Sequence, residues 1–97
     1  LALADIENIP SSRIQSFNLE EQIRHVADTI RQIYQDAEIS VINQTGEEIL
    51  IEADYDLLEL AWTNLISNAA KYSNPPAKIS VTLSSDRKVV ILEFADK

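Results

Sequence analysis

Between Asp54 and the pair Pro75-Pro76 the sequence has room for one helix and little else. Asp54 offers a side-chain acceptor for first-turn amides. The apolar residues after it recur at helical spacing, and neither proline can continue a helix. The spacing predicts a helix over 54–72, ended by Ser73-Asn74-Pro75-Pro76. On both sides of it the hydrophobic period changes from 3.6 to 2. Ile39, Val41 and Asn43 alternate with Ser40 and Ile42. Ile49 and Ile51 alternate after a turn at Gln44-Thr45-Gly46-Glu47, which holds the only glycine of the chain. Residues 78–84 alternate with Ile79, Val81 and Leu83 on one side. Ser85-Asp86-Arg87 then turns the chain into residues 89–95, apolar on both faces and expected as a central strand.

Upstream, Asn18 can cap an earlier helix, with Glu21 three residues on in a capping-box arrangement. Leu19, Ile23, Val26, Ile30 and Ile33 carry that helix to about Tyr34. Ile14 to Phe17 adds one brief edge strand. Residues 1–10 read as the last turns of a helix and a linker, stopped at Ile9-Pro10 because the residue before proline avoids helical angles. Residues 11–97 form the body. The order is helix end, strand, helix, hairpin, helix, hairpin. Strand pairs with helices laid on one face describe an α/β (α+β) two-layer sandwich with a mixed, mostly antiparallel sheet.

Charge narrows the partners. The 97 residues carry sixteen acids and eight bases, a net of −8. Domains that bind duplex nucleic acid carry a basic stripe, and this balance argues against one. Residues 1–60 hold thirteen acids and three bases, whereas residues 61–97 hold three and five. An anionic ligand settles more easily against the second part. Without cysteine there is no disulfide framework and no thiolate metal site, and a single histidine does not make a zinc site. The longest apolar run is residues 89–95, broken by Glu93, too short for a membrane span. No basic start precedes an apolar core, so no signal peptide is expected.

The helix over 54–72 carries the informative pattern. Leu58, Trp62, Leu65, Ile66 and Ala69 share one arc of about 100°, the expected core face. Asn64, Asn68, Lys71 and Tyr72 share the neighbouring arc, with Leu57 and Ala61 a turn earlier, so the upper end of that arc is expected to be buried too. Asparagine offers a neutral oxygen to a hard cation such as Mg²⁺. Lysine offers a point charge to phosphate, and tyrosine a flat face to a base. Spacing alone does not decide between such a pocket lining and a solvated polar face.

The text of that helix, Asn64-Leu65-Ile66-Ser67-Asn68-Ala69-Ala70-Lys71-Tyr72-Ser73, resembles the N-box of bacterial sensor histidine kinases. The preceding Asp54-Tyr55-Asp56-Leu57-Leu58 and the following Asn74-Pro75-Pro76 fit the same frame. Residues 1–8 and 17–23 resemble the junction where the second helix of the dimerisation and phosphoacceptor domain passes into the ATP-binding domain. The likeness covers almost the whole chain.

What the resemblance implies is specific. Asn68 would ligate the Mg²⁺ that bridges the ATP phosphates, and Asn64 would line the pocket one turn earlier. Lys71 would approach a phosphate, and Tyr72 would pack beside base or ribose. Asp96 falls where the family places the aspartate of its D-x-G-x-G motif, which accepts a hydrogen bond from the adenine amino group. In the related gyrase, chaperone and mismatch-repair ATPases the position of Asn64 is a glutamate acting as general base on water. Asn64 cannot take that proton, which favours phosphoryl transfer to a protein side chain over hydrolysis.

The implied function is transfer of the ATP γ-phosphoryl group to a histidine in two-component signalling. The implied partners are the parent's own dimerisation domain, the receiver domain of a response regulator and a second parent subunit. The implied place is the cytoplasmic side of the parent, whether or not that parent is membrane-anchored. His25 lacks the acidic neighbour of a phosphoacceptor histidine and reads as an ordinary surface residue. The glycine motifs are absent from these residues, so the chain alone is expected to bind ATP weakly or not at all and to phosphorylate nothing. Two other readings share the fold: a nucleotide-free interaction scaffold, and a serine kinase of the anti-sigma type. The helix end at residues 1–8 favours the histidine kinase over the serine kinase.

Overall fold

Asn18 ends one element and begins the next. The computed structural model describes residues 13–73, 76–86 and 89–96. β1 (Ile14–Asn18) is the brief strand expected from sequence, and α1 (Leu19–Ile33) follows it directly. Asn18 stays extended, and its side-chain oxygen accepts the backbone N–H of Glu21 at 3.1 Å. That bond satisfies one of the amides the first helical turn leaves open. Asn18→Ala is expected to cost about 1 kcal/mol, read as a lower urea midpoint at unchanged slope.

β2 (Glu38–Asn43), β3 (Leu50–Asp54), α2 (Tyr55–Tyr72), β4 (Lys78–Asp86) and β5 (Val89–Asp96) complete the order. The pairing departs from the expected first hairpin. β3 turns away from β2 and pairs antiparallel with β1, Ile14 opposite Asp54 and Asn18 opposite Leu50. β2 instead pairs parallel with β4, Glu38 opposite Lys78 through Asn43 opposite Leu83. Two sheets result, β1-β3 and β2-β4-β5.

The physical reason lies in the connections. Parallel neighbours need a long crossover, and α2 lies between β2 and β4 in the chain. The segment between β2 and β3 folds around Asn43 rather than reversing tightly. The Asn43 side-chain oxygen accepts the backbone N–H of Thr45 at 2.9 Å, and its amide donates to the Glu47 carbonyl at 2.8 Å. Gly46 takes a left-handed φ of 73° there, which favours glycine. The backbone N–H of Leu19 then holds the Ile49 carbonyl at 2.9 Å, directing β3 toward β1.

The second hairpin forms as expected but is longer. Ser85 and Asp86, read from sequence as turn, lie in the ladder opposite Val90 and Val89. β4 takes the middle of the described sheet, and β5, expected there, stands beside it at one end. A sequence apolar on both faces does not by itself fix how many strands flank a strand. The helical reading of residues 1–10 and the stop at Asn74-Pro75 lie outside the described residues.

Ile23, Val26, Ala27 and Ile30 of α1 and Ile66 and Ala70 of α2 meet Ile39, Val41, Ile79, Val81 and Leu83 of the three-stranded sheet in one core. One buried polar residue ties the helices together. Gln22, 1% exposed, donates through Nε2 to the Tyr55 carbonyl and accepts the Trp62 indole N–H, each at 2.8 Å. Phe17 meets the Tyr55 ring edge-on at 5.0 Å between centroids. The bond to Trp62 and the small Ala61 and Ala70 set the rotation of α2. Ala61, Ile66 and Ala70 are buried, and Leu65, expected in the core, is 39% exposed.

Glu20 joins α1 to the loop after β2. Its carboxylate accepts from Asn43 Nδ2 and Arg24 Nε, each at 2.8 Å, and these bonds hold its pKa below the ordinary 4.5, the Asn43 bond foremost. A carboxyl lowered on folding stabilises the fold above its unfolded pKa, and that stability is lost as pH falls through the folded value. Asn43→Ala is expected to move the Glu20 titration back toward 4.5, seen by NMR, and to remove part of the acid-side loss.

Candidate functional site

α2 is docked by Ile66 and Ala70, and this leaves its polar arc outward. Asn64, Asn68 and Lys71 are exposed, and Tyr72 is 75% exposed at the last helical position. Asn64 and Asn68 stand one turn apart, with about 5–6 Å between their Cβ atoms. The Lys71 ammonium lies over the Tyr72 ring, 5.2 Å from its centroid. Ser73 closes the helix with its hydroxyl donating to the Ala69 carbonyl. The side chains offered together are two neutral amides, one cation and one open aromatic face.

Asp96 reaches the same end of the fold through its backbone. It stands opposite Ile79, at the start of β4, which follows α2 after a short connection. Its carboxylate lies outside the described side chains. Next to Lys71 a cavity of about 360 Å³ opens among Tyr34, Asp36, Ala70, Ser73 and Ala77. A wider cleft of about 620 Å³ lies at the other end of α2, lined by Arg13, Gln15, Asp54, Asp56, Leu57 and Leu60. None of Asn64, Asn68, Lys71 and Tyr72 lines it, and Asp54 is already engaged there with the Leu57 amide at 3.1 Å.

Among the described residues, no three His, Cys, Asp or Glu side chains group to hold a metal. Mg²⁺ does not require such a cage, because it keeps several waters and takes phosphate oxygens as ligands. A single outward amide such as that of Asn68 fits an ion brought in by a nucleotide. His25 is exposed, with its Nε2 3.7 Å from the Glu59 carboxylate, as expected of a surface histidine. Gln22 escaped the sequence reading, although a glutamine beside Leu19, Ile23 and Val26 on the apolar side of α1 marks a buried polar group needing partners.

Two helices packed on a sheet, with the asparagine-bearing helix crossing between its parallel strands, define the fold of histidine kinase catalytic domains. Three solved structures show it. The nucleotide-free catalytic domain of histidine kinase ThkA superimposes with a TM-score of 0.77 at 22% identity, covering 86% of this chain and 57% of that one. The mycobacterial sensor histidine kinase MprB gives 0.75 at 24%, covering 84% and 53%. The cytoplasmic segment of histidine kinase QseC gives 0.70 at 23%, covering 84% and 50%. The chain thus spans about half the length of these structures. No family model and no curated protein matches the sequence. No helix among the described residues is long and apolar enough to cross a membrane.

Proposed function

We propose that this chain is part of the ATP-binding catalytic domain of a sensor histidine kinase. The observation that carries the reading is the outward stripe of Asn64, Asn68, Lys71 and Tyr72 on α2, in a chain with that fold. Asn68 would hold Mg²⁺ through its side-chain oxygen, and Asn64 would flank it. Lys71 would leave the Tyr72 ring for a phosphate oxygen, and the freed ring would pack on base or ribose. Asp96, at the same end of the sheet, would accept from the adenine amino group. Bound Mg²⁺ would neutralise phosphate charge as the γ-phosphoryl group transfers.

Asn64 has no proton-accepting group for water, which supports transfer to a histidine over hydrolysis. In that transfer the γ-phosphorus to bridging-oxygen bond breaks, a phosphorus–nitrogen bond forms and ADP leaves. The acceptor histidine would come from a dimerisation domain of the same parent, and the parent would act as a dimer on the cytoplasmic side. ThkA has been solved in complex with the response regulator protein TrrA, and a response regulator is the proposed recipient here as well.

Calorimetric titration of ADP with Mg²⁺ tests the reading. A longer protein carrying these residues together with the glycine motifs should bind, and the 97 residues alone should bind weakly or not at all. Absence of binding by the longer protein would leave the fold as a nucleotide-free scaffold. Labelled ATP supplied with a separate dimerisation domain then tests transfer: label should appear on its histidine with the longer protein only.

A further inference from the structure

β2 stands at one edge of the described three-stranded sheet. On its inner side the N–H groups of Glu38 and Gln44 reach the carbonyls of Ala77 at 2.7 Å and Leu83 at 2.8 Å. By the alternation of a parallel ladder, the backbone groups of Ile39, Val41 and Asn43 face the other way. Among the described residues no strand pairs with this row, and an open strand edge templates the addition of another strand.

Two side chains of α1 occupy it. Arg24 Nη2 donates to the Val41 carbonyl at 3.0 Å, and Arg31 Nη2 donates to the Ile39 carbonyl. Each guanidinium is aimed by an acid about one turn earlier. Arg24 Nε donates to Glu20 at 2.8 Å, and Arg31 Nη1 donates to Asp28. The planar fork of arginine serves a carboxylate and a carbonyl at once, which an ammonium cannot do in the same fixed geometry.

The strand itself carries little protection. Residues 38–43 contain no proline and no lysine, and Ile42 is 44% exposed. A second copy laid antiparallel about a two-fold axis at Val41 would set 39 opposite 43, 40 opposite 42 and 38 opposite 44. The facing pairs are Ile–Asn, Ser–Ile and Glu–Gln, with no like charges opposed. Identical edges pairing about a two-fold close on themselves as a dimer.

We infer that Arg24 and Arg31 hold the β2 edge closed against a second copy of this chain, and that this edge is a latent self-pairing surface. The inference stands apart from the nucleotide reading, since none of its residues belongs to the α2 stripe.

Sedimentation velocity across a concentration series tests it, with circular dichroism to confirm folding. Arg24→Gln/Arg31→Gln should self-associate at least about tenfold more tightly than the unaltered chain. Losing two cations takes the net charge from −8 to −10, so charge repulsion works against that gain. Hydrogen exchange at the amides of Ile39, Val41 and Asn43 should slow as concentration rises. Adding Ser40→Lys and Ile42→Lys sets lysine opposite lysine across the two-fold and should restore the original behaviour. Should the glutamine pair fail to fold, Arg24→Lys/Arg31→Lys keeps the charge at −8 and should still associate, more weakly. Lysine and glutamine pairs that both sediment like the unaltered chain would overturn the inference. So would association that leaves exchange in β2 unchanged or survives the added lysines.

Discussion

Gln22→Ala is expected to lower the unfolding free energy by about 3 kcal/mol, a large part of the margin of a small domain. The side chain is buried, and both of its ends are engaged, one on the Tyr55 carbonyl and one on the Trp62 indole N–H. Truncation takes one bond from each of these groups and opens a cavity between the helices. The two losses separate by design. Gln22→Leu keeps most of the volume and removes both bonds, so it should cost about 2 kcal/mol. Adding Trp62→Phe to Gln22→Leu deletes the indole donor as well, and the difference from Gln22→Leu alone reads what the indole still contributes at that junction. Urea denaturation followed by far-ultraviolet circular dichroism measures all three variants. In the variants that keep it, Trp62 is the sole tryptophan and its emission reports the same junction. A cost of Gln22→Leu below about 0.5 kcal/mol would mean that the bridge is satisfied equally well by water.

This bridge also shows where sequence reading stops. The helix over 54–72 was legible because a cap, a stop and a 3.6-residue period agree, and it forms as Tyr55–Tyr72 behind Asp54. The cap at Asn18 and the strand beside it were legible for the same reason. The rotation of α2 was not, because a bond from Trp62 to a residue forty positions away sets which side faces inward. Leu65 lost its expected place in the core to that rotation and Ala70 took a close-packed position, while Ala61 is buried as its end of the second arc was expected to be. The partners of β2 and β3 were not legible either, although the pairing of β4 with β5 was. Alternation identifies a strand and its faces, whereas its neighbour depends on the connection. The Gly46 turn looks like a hairpin turn until the Asn43 side chain is seen gathering Thr45 and Glu47 around itself. For the site, the stripe of Asn64, Asn68, Lys71 and Tyr72 was legible as a shared arc, and the fold leaves all four exposed. Its meaning came from the resemblance, because an arc of polar residues is equally what solvent requires.

The strongest test of that meaning is Asn68→Ala, measured in a longer protein that includes the glycine motifs. Changes behind the ligands of a metal site already cost about 10–100-fold in affinity. Removing the one ligand this chain is proposed to supply should therefore weaken Mg²⁺–ADP binding at least about 100-fold. Binding without Mg²⁺ should change little, so the dependence on Mg²⁺ should collapse along with the affinity. Folding should move in the opposite direction. Asn68 is exposed in the interior of α2, and alanine is the better helix former by roughly half a kcal/mol. The variant should melt slightly higher while losing its ligand, a combination that unfolding cannot produce. Asn68→Asp refines the assignment by keeping an oxygen donor and adding a charge that repels phosphate, so it should retain metal dependence at intermediate affinity. An Asn68→Ala protein that keeps its Mg²⁺ dependence would remove Asn68 from the metal site, and the stripe on α2 would revert to a solvated face.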